Sequence, residues 1–177
     1  MRFPRAVAPL ALLLLATPAY ADKEPRLEDY QSEAGRFKVR MPVGPRKVDS
    51  KELATGKGKQ SIAVTTEKVD VPGGAVFAVT YADYPKSFEE VAPKTILDGV
   101  RDGLKGTDGK VTRDDETTLG TDKISGRDLR IEAGKNVIRA RVFLADNRLY
   151  QVMVTGGKDA VSTKFADEFL KSFEVTK

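Results

Sequence analysis

The stretch RARVFLADNRLYQVMV, residues 139–154, decides the fold. Asp146-Asn147 sits between two runs of alternating side chains and reads as a two-residue hairpin turn. Gly134-Lys135 reads the same way one strand earlier. With both turns set, Ala133 faces Asn136, Ile131 faces Ile138 and Leu129 faces Ala140. Across the second turn Leu144 faces Leu149, Val142 faces Gln151 and Ala140 faces Met153. One face of this three-stranded meander is almost continuously apolar. The other holds Asp128, Arg130, Glu132, Arg139, Arg141, Phe143, Tyr150, Val152 and Val154. On it Asp128 opposes Arg141, Arg130 opposes Arg139, and Phe143 opposes Tyr150.

That mixed face has two readings. As structure, it is a sheet face partly covered by a helix or loop, with arginine stems spread over its apolar part. As function, Arg130, Arg139, Arg141, Phe143 and Tyr150 form a candidate surface for an anionic or aromatic partner. Exposed strand charges are usually only solvated, which favours the structural reading.

Outward from the meander the chain alternates strands with two helices. Residues 30–41 read as a hairpin around Glu33-Ala34-Gly35, with Phe37, Val39 and Met41 on one side of a strand. Residues 46–54 are a charged, weak strand. Residues 61–69 and 75–81 form a β-branched and aromatic pair around Asp70-Val71-Pro72-Gly73-Gly74. In 87–106 the spacing of Ser87 and Glu90 suggests a capping box, but Pro93 would break a helix begun there. Pro93 is better placed as the first helical residue, with Ile96, Leu97, Val100 and Leu104 on one face and Gly106 as the stop. Strands follow at 110–119, 127–133, 137–144 and 149–155, and Gly156-Gly157 are expected to break the sheet. Residues 159–173 repeat Val161, Phe165, Phe169 and Phe173 every four positions, an amphipathic helix that should dock on the sheet. The expectation is one α+β domain over 30–177, an antiparallel sheet flanked by a central and a C-terminal helix.

The N-terminus has a different character. Arg2 and Arg5 precede a leucine-rich apolar run, and Ala19-Tyr20-Ala21 fits a small-x-small cleavage site. Residues 1–21 are therefore expected to be a cleaved export signal, and 22–29 a flexible lead. The apolar run is short of the ~20 residues of a spanning helix, so no stable membrane insertion is expected after cleavage. The arginines are not adjacent and no cysteine follows, so neither twin-arginine export nor lipidation is expected. The protein should be periplasmic or extracellular. The net charge of +4 loses two arginines with the leader, and the remaining charges are interspersed. That is a solvated surface, with no nucleic-acid footprint.

Composition excludes much chemistry. The 177 residues include no Cys and no His. Disulfides, thiol nucleophiles, the Ser-His-Asp relay and the commonest transition-metal ligands are absent with them. None of the Gly-Lys pairs is followed by Ser or Thr, so no phosphate loop exists. Asp114-Asp115-Glu116 lacks the spacing of a calcium loop. Tyr81 to Pro85 (YADYP) reads as a strand end with packed tyrosines, or as the lining of a groove. No catalytic, cofactor-binding or metal residue is assigned, and no cofactor is expected.

Three patterns carry a family resemblance: GRFKVRMPVGP (35–45), TLGTDKISGRDLRI (118–131), and RLYQVMVTG (148–156) followed by FADEFLKSFEV (165–175). In order and spacing they resemble the Mog1/PsbP-like fold family across residues 30–175. The resemblance implies a non-enzymatic protein. Its members include extrinsic photosystem subunits, a Ran-binding nuclear factor, envelope proteins and secretion chaperones. Metal roles that rest on histidine cannot carry over. The function expected is an exported, non-catalytic binding or assembly module of the bacterial envelope, with an envelope protein or complex as partner. The alternatives are a carboxylate- or metal-dependent hydrolase and a small-ligand carrier. The hydrolase would require a concave pocket in which carboxylates such as Asp83, Asp114, Asp115 or Glu116 converge. The carrier would require a closed apolar pocket between sheet and helix.

Overall fold

A computed structural model describes residues 26–54 and 61–176. The expected export signal, 1–21, lies outside the described residues. A hairpin opens the fold, β1 (Leu27–Ser32) and β2 (Phe37–Pro42). β1 begins inside the stretch expected to be a flexible lead. Leu27, Glu28 and Asp29 pair with Pro42, Met41 and Arg40, because β2 runs on to Pro42 and supplies them with ladder partners. The Val43 amide also donates to the Arg26 carbonyl at 2.9 Å.

Seven strands make the main sheet: β3 (Arg46–Ala54), β4 (Ser61–Asp70), β5 (Val76–Asp83), β6 (Lys110–Leu119), β7 (Ile124–Ala133), β8 (Asn136–Ala145) and β9 (Arg148–Gly157). Their order across the sheet is β3-β4-β5-β9-β8-β7-β6, antiparallel throughout. The β7-β8-β9 meander has the register that its two turns predict, including Asp128 opposite Arg141 and Phe143 opposite Tyr150. Gly134 and Asp146 take the positive φ such turns require, 60° and 53°. Gly156-Gly157 do not break the sheet; β9 runs through both. Gly156 instead permits a close approach, since a Cβ there would lie 3.0 Å from Ala75 Cα.

The central helix α1 (Pro93–Lys105) starts at the proline and stops at Gly106, whose φ is 62° and whose amide closes on the Asp102 carbonyl. It crosses from β5 to the far edge strand β6. Residues 159–173 do not form one helix. They divide into α2 (Lys158–Val161) and α3 (Lys164–Lys171). The Thr163 hydroxyl accepts from the Ala166 amide at 3.1 Å, a cap that starts a new helix where a continuous one was expected. After α3 a short β10 (Glu174–Val175) joins β2, so β1, β2 and β10 form a second, three-stranded sheet that periodicity did not reveal.

Two apolar clusters result. The small sheet and α3 close over one face of the main sheet, burying Phe37, Phe77, Phe143, Tyr150, Phe169 and Phe173. Phe143 and Phe173 stack with ring planes 2° apart. On the other face Leu97 of α1 packs against Leu129, Ala140, Val142 and Leu149. Ile96, Val100 and Leu104 flank it, half-buried.

Candidate functional site

The five residues expected as a partner surface do share one face, but that face lies beneath α2, α3 and the small sheet. Phe143 and Tyr150 are fully buried, which corrects their place in an exposed patch. The Tyr150 hydroxyl donates to the Gly35 carbonyl at 2.9 Å and so ties β9 to the first hairpin turn. The Arg139 guanidinium donates to the Val161 carbonyl at 2.8 Å and to the Asp167 carboxylate at 2.5 Å. Arg141 donates to the Leu170 carbonyl at 3.2 Å and stands 4.9 Å over the Phe143 ring. Burial lowers its pKa, opposed by the charge of Asp128. Arg130 reaches the Ser162 hydroxyl at 3.3 Å and stays exposed at that end. Arg139 and Arg141 thus satisfy carbonyls at the ends of α2 and α3, which a helix leaves open.

The carboxylates singled out for hydrolytic chemistry do not converge. Asp83, on β5, is bidentate with Arg148 at 2.5 Å. Arg148 also holds the Ala34 carbonyl at 2.8 Å. Hydrogen bonding to Arg148 holds the Asp83 carboxyl below the ordinary carboxylate range, against the opposing effect of burial. Asp115 pairs with Arg113 at 2.6 Å. Asp114 lies 3.1 Å from both Arg101 and Arg127. Arg127, only 8% exposed at its side chain, also grips Asp98 at 2.7 Å. Hydrogen bonding to Lys94 lowers the Asp98 pKa, and Arg127 and Arg101 add to it. Glu116 is the exposed outlier, 4.0 Å from Arg127, on the rim of a shallow basin of about 530 Å³ between α1 and β6-β7. A general acid needs a carboxyl whose neutral form is favoured. Guanidinium partners do the opposite for Asp83 and Asp98. Among the described residues no three acidic side chains converge as metal ligands.

A larger and mostly apolar concavity lies elsewhere. α1 covers the β7-β8 part of its face and leaves the part formed by β3, β4, β5 and β9 open. The resulting groove measures about 780 Å³. Its floor is Ile62 and Val64 of β4, and its end wall is Tyr84 and Phe88, in edge contact at 5.1 Å between ring centres. Burial raises the Tyr84 pKa. The helix side of the groove carries Thr95, Gly99 and Gly103, four residues apart, beside Ile96, Val100 and Leu104. A Cβ added at either glycine would meet nothing within 4 Å. Of the YADYP segment, Ala82 and Tyr84 line the groove, whereas the Tyr81 ring packs against Phe37 in the aromatic cluster on the opposite face, so the groove reading holds for one tyrosine and the packed-strand-end reading for the other. The sequence signal that was available is the Gly99/Gly103 spacing beside Thr95, which removes side chains from one flank of an otherwise amphipathic helix. Among the described residues no helix is long and apolar enough to cross a membrane.

No protein-family model matches the chain, and no curated protein matches it. Among solved structures it is similar to the solution structure of cyanobacterial PsbP (CyanoP) from Synechocystis sp. PCC 6803. That match has a TM-score of 0.54 and covers 90% of this chain and 98% of that one, at 12% identity. The chain therefore has the Mog1/PsbP-like fold, an α+β single domain. At this identity the likeness is one of architecture.

Proposed function

We propose that the protein is an exported, non-catalytic binding or assembly module of the bacterial envelope, and that its recognition site is the groove beside α1. The observation that carries this reading is the groove's construction. A mostly apolar floor and aromatic end wall lie open beside a helix flank thinned by two glycines, and open apolar concavities of this kind mark recognition sites. Engagement of Asp83, Asp98, Asp114 and Asp115 by basic side chains supports the non-catalytic part. The export part rests on the leader pattern in residues 1–21.

The test is capture of the partner from the cell envelope with the parent and with Gly99→Phe. The added ring enters empty space, so folding should be unchanged while the groove is filled. Loss of capture at an unchanged melting temperature supports the reading, and equal capture removes the groove from it. A small-ligand carrier is the second reading: the groove's volume falls within the ~300–1,000 Å³ usual for ligand sites, but it is open, not the closed pocket expected of a carrier. Native mass spectrometry of the envelope-purified protein separates the two. A bound small molecule lost in Gly99→Phe marks a carrier.

A further inference from the structure

The main sheet has two edges, and they are built differently. β6 is irregular, with its register shifting between Val111 and Arg113, and it carries consecutive charges. A bulge and dense charge both discourage a further strand. β3 is charged to a similar degree, through Arg46, Lys47, Asp49, Lys51 and Glu52, but it has no such irregularity. Its nine residues pair with β4 without a shift. Its described side chains are exposed on both faces. Among the described residues, two of the three exposed large apolar side chains sit on it, Val48 at 61% and Leu53 at 45%.

Charge along β3 favours one occupant. On the groove face the side chains run Lys47, Asp49, Lys51, Leu53. We propose that β3 pairs antiparallel with β3 of a second copy, about a two-fold axis at Ser50. The pairing sets Asp49 against the partner's Lys51 and Lys51 against the partner's Asp49, with Lys47 opposite Leu53 and Val48 opposite Glu52. All nine residues find a partner and no like charges face each other. Moving the axis to Asp49 sets that carboxylate against its own copy and Lys47 against Lys51. Moving it to Lys51 sets two ammonium groups together. Half-step registers are excluded, because outward-facing backbone groups of one strand would meet inward-facing groups of the other. Opposite charges across an antiparallel pair attract and like charges repel, so the Ser50 register is the one the sequence of β3 selects. Such a dimer is isologous. It joins two sheets into one and sets the two α1 grooves side by side. The proposal goes beyond the groove's role in recognition and does not depend on it.

The chain has no cysteine, so Ser50→Cys introduces a single thiol on the axis. Directly opposed residues have Cβ atoms ~4.5–5.5 Å apart, close to disulfide range. Mild oxidation should link Ser50→Cys into covalent dimers and leave Thr107→Cys, on an exposed turn remote from β3, monomeric. In sedimentation equilibrium the parent should self-associate reversibly. Lys51→Glu should weaken association about tenfold, because both charge pairs become repulsive. The doubly reversed Asp49→Lys, Lys51→Glu chain should recover most of the loss. The proposal is overturned by a parent that stays monomeric at millimolar concentration. It is equally overturned by a dimer indifferent to Lys51→Glu, or by one that Ser50→Cys does not link.

Discussion

The two faces of the seven-stranded sheet are finished in opposite ways. One is sealed by β1-β2-β10 and α3 over an aromatic core, with arginines fastening the helices at the rim. The other is covered by one helix over half its width and left as an apolar groove over the rest. The same sheet thus separates its tasks. Rigidity comes from the face where large rings interlock, and an open concavity from the face where glycines keep α1 thin.

The contrast breaks down if the sealed face tolerates damage. Phe169→Asp removes a fully buried ring that meets Phe77 edge-on at 5.2 Å and places a carboxylate there. Denaturant unfolding should register a loss of about 5 kcal/mol or more. A parent-like midpoint would mean α3 does not seal this face. The rim should matter less. Arg139→Ser with Arg141→Ser leaves the Val161 and Leu170 carbonyls without these donors, and about 2 kcal/mol should be lost. An unchanged melting temperature would return these arginines to the candidate partner surface.

Acid should act at the joint between the faces. Hydrogen bonding to Arg148 depresses the Asp83 pKa in the folded state. Its contribution is therefore complete above the unfolded aspartate value of ~4 and disappears as pH falls through the lower folded value. In Asp83→Asn the stability profile should be flatter below that point. An identical acid limb would show that the pair contributes nothing to the pH dependence. The smallest effect belongs to the open face. Gly99→Ala should raise stability by up to about 1 kcal/mol, since helix propensity improves and the new methyl meets nothing. A loss would show that the groove is narrower than described.

The register of β7, β8 and β9 was legible because Gly134-Lys135 and Asp146-Asn147 are turn dipeptides, and two such turns leave no freedom in the strands between them. Pro93 and Gly106 punctuated α1 for equally local reasons. The cover of the arginine face was not legible. Its alternation of charge and aromatic ring reports polarity, whereas its burial depends on carbonyls at Val161 and Leu170, more than twenty residues on. The small sheet escaped notice because β10 is two residues long, too short for any period. Glu174 finds Lys38 only in space. The groove was half legible: YADYP suggested it, but its open width comes from where α1 crosses the sheet.

β10 has one more consequence. β2 gains its second neighbour from Glu174–Val175, and the Thr176 amide donates to the Arg36 carbonyl at 2.9 Å. A chain synthesised from its N-terminus therefore makes Phe37 more than a hundred residues before Phe173, the ring it packs against at 5.7 Å. Until those last residues are free, the first hairpin has no lid and the aromatic core has no floor. Such distant pairings form late and slowly. Closure of the aromatic core then waits on residues 173–176, and the chain before them stays loose until they pair.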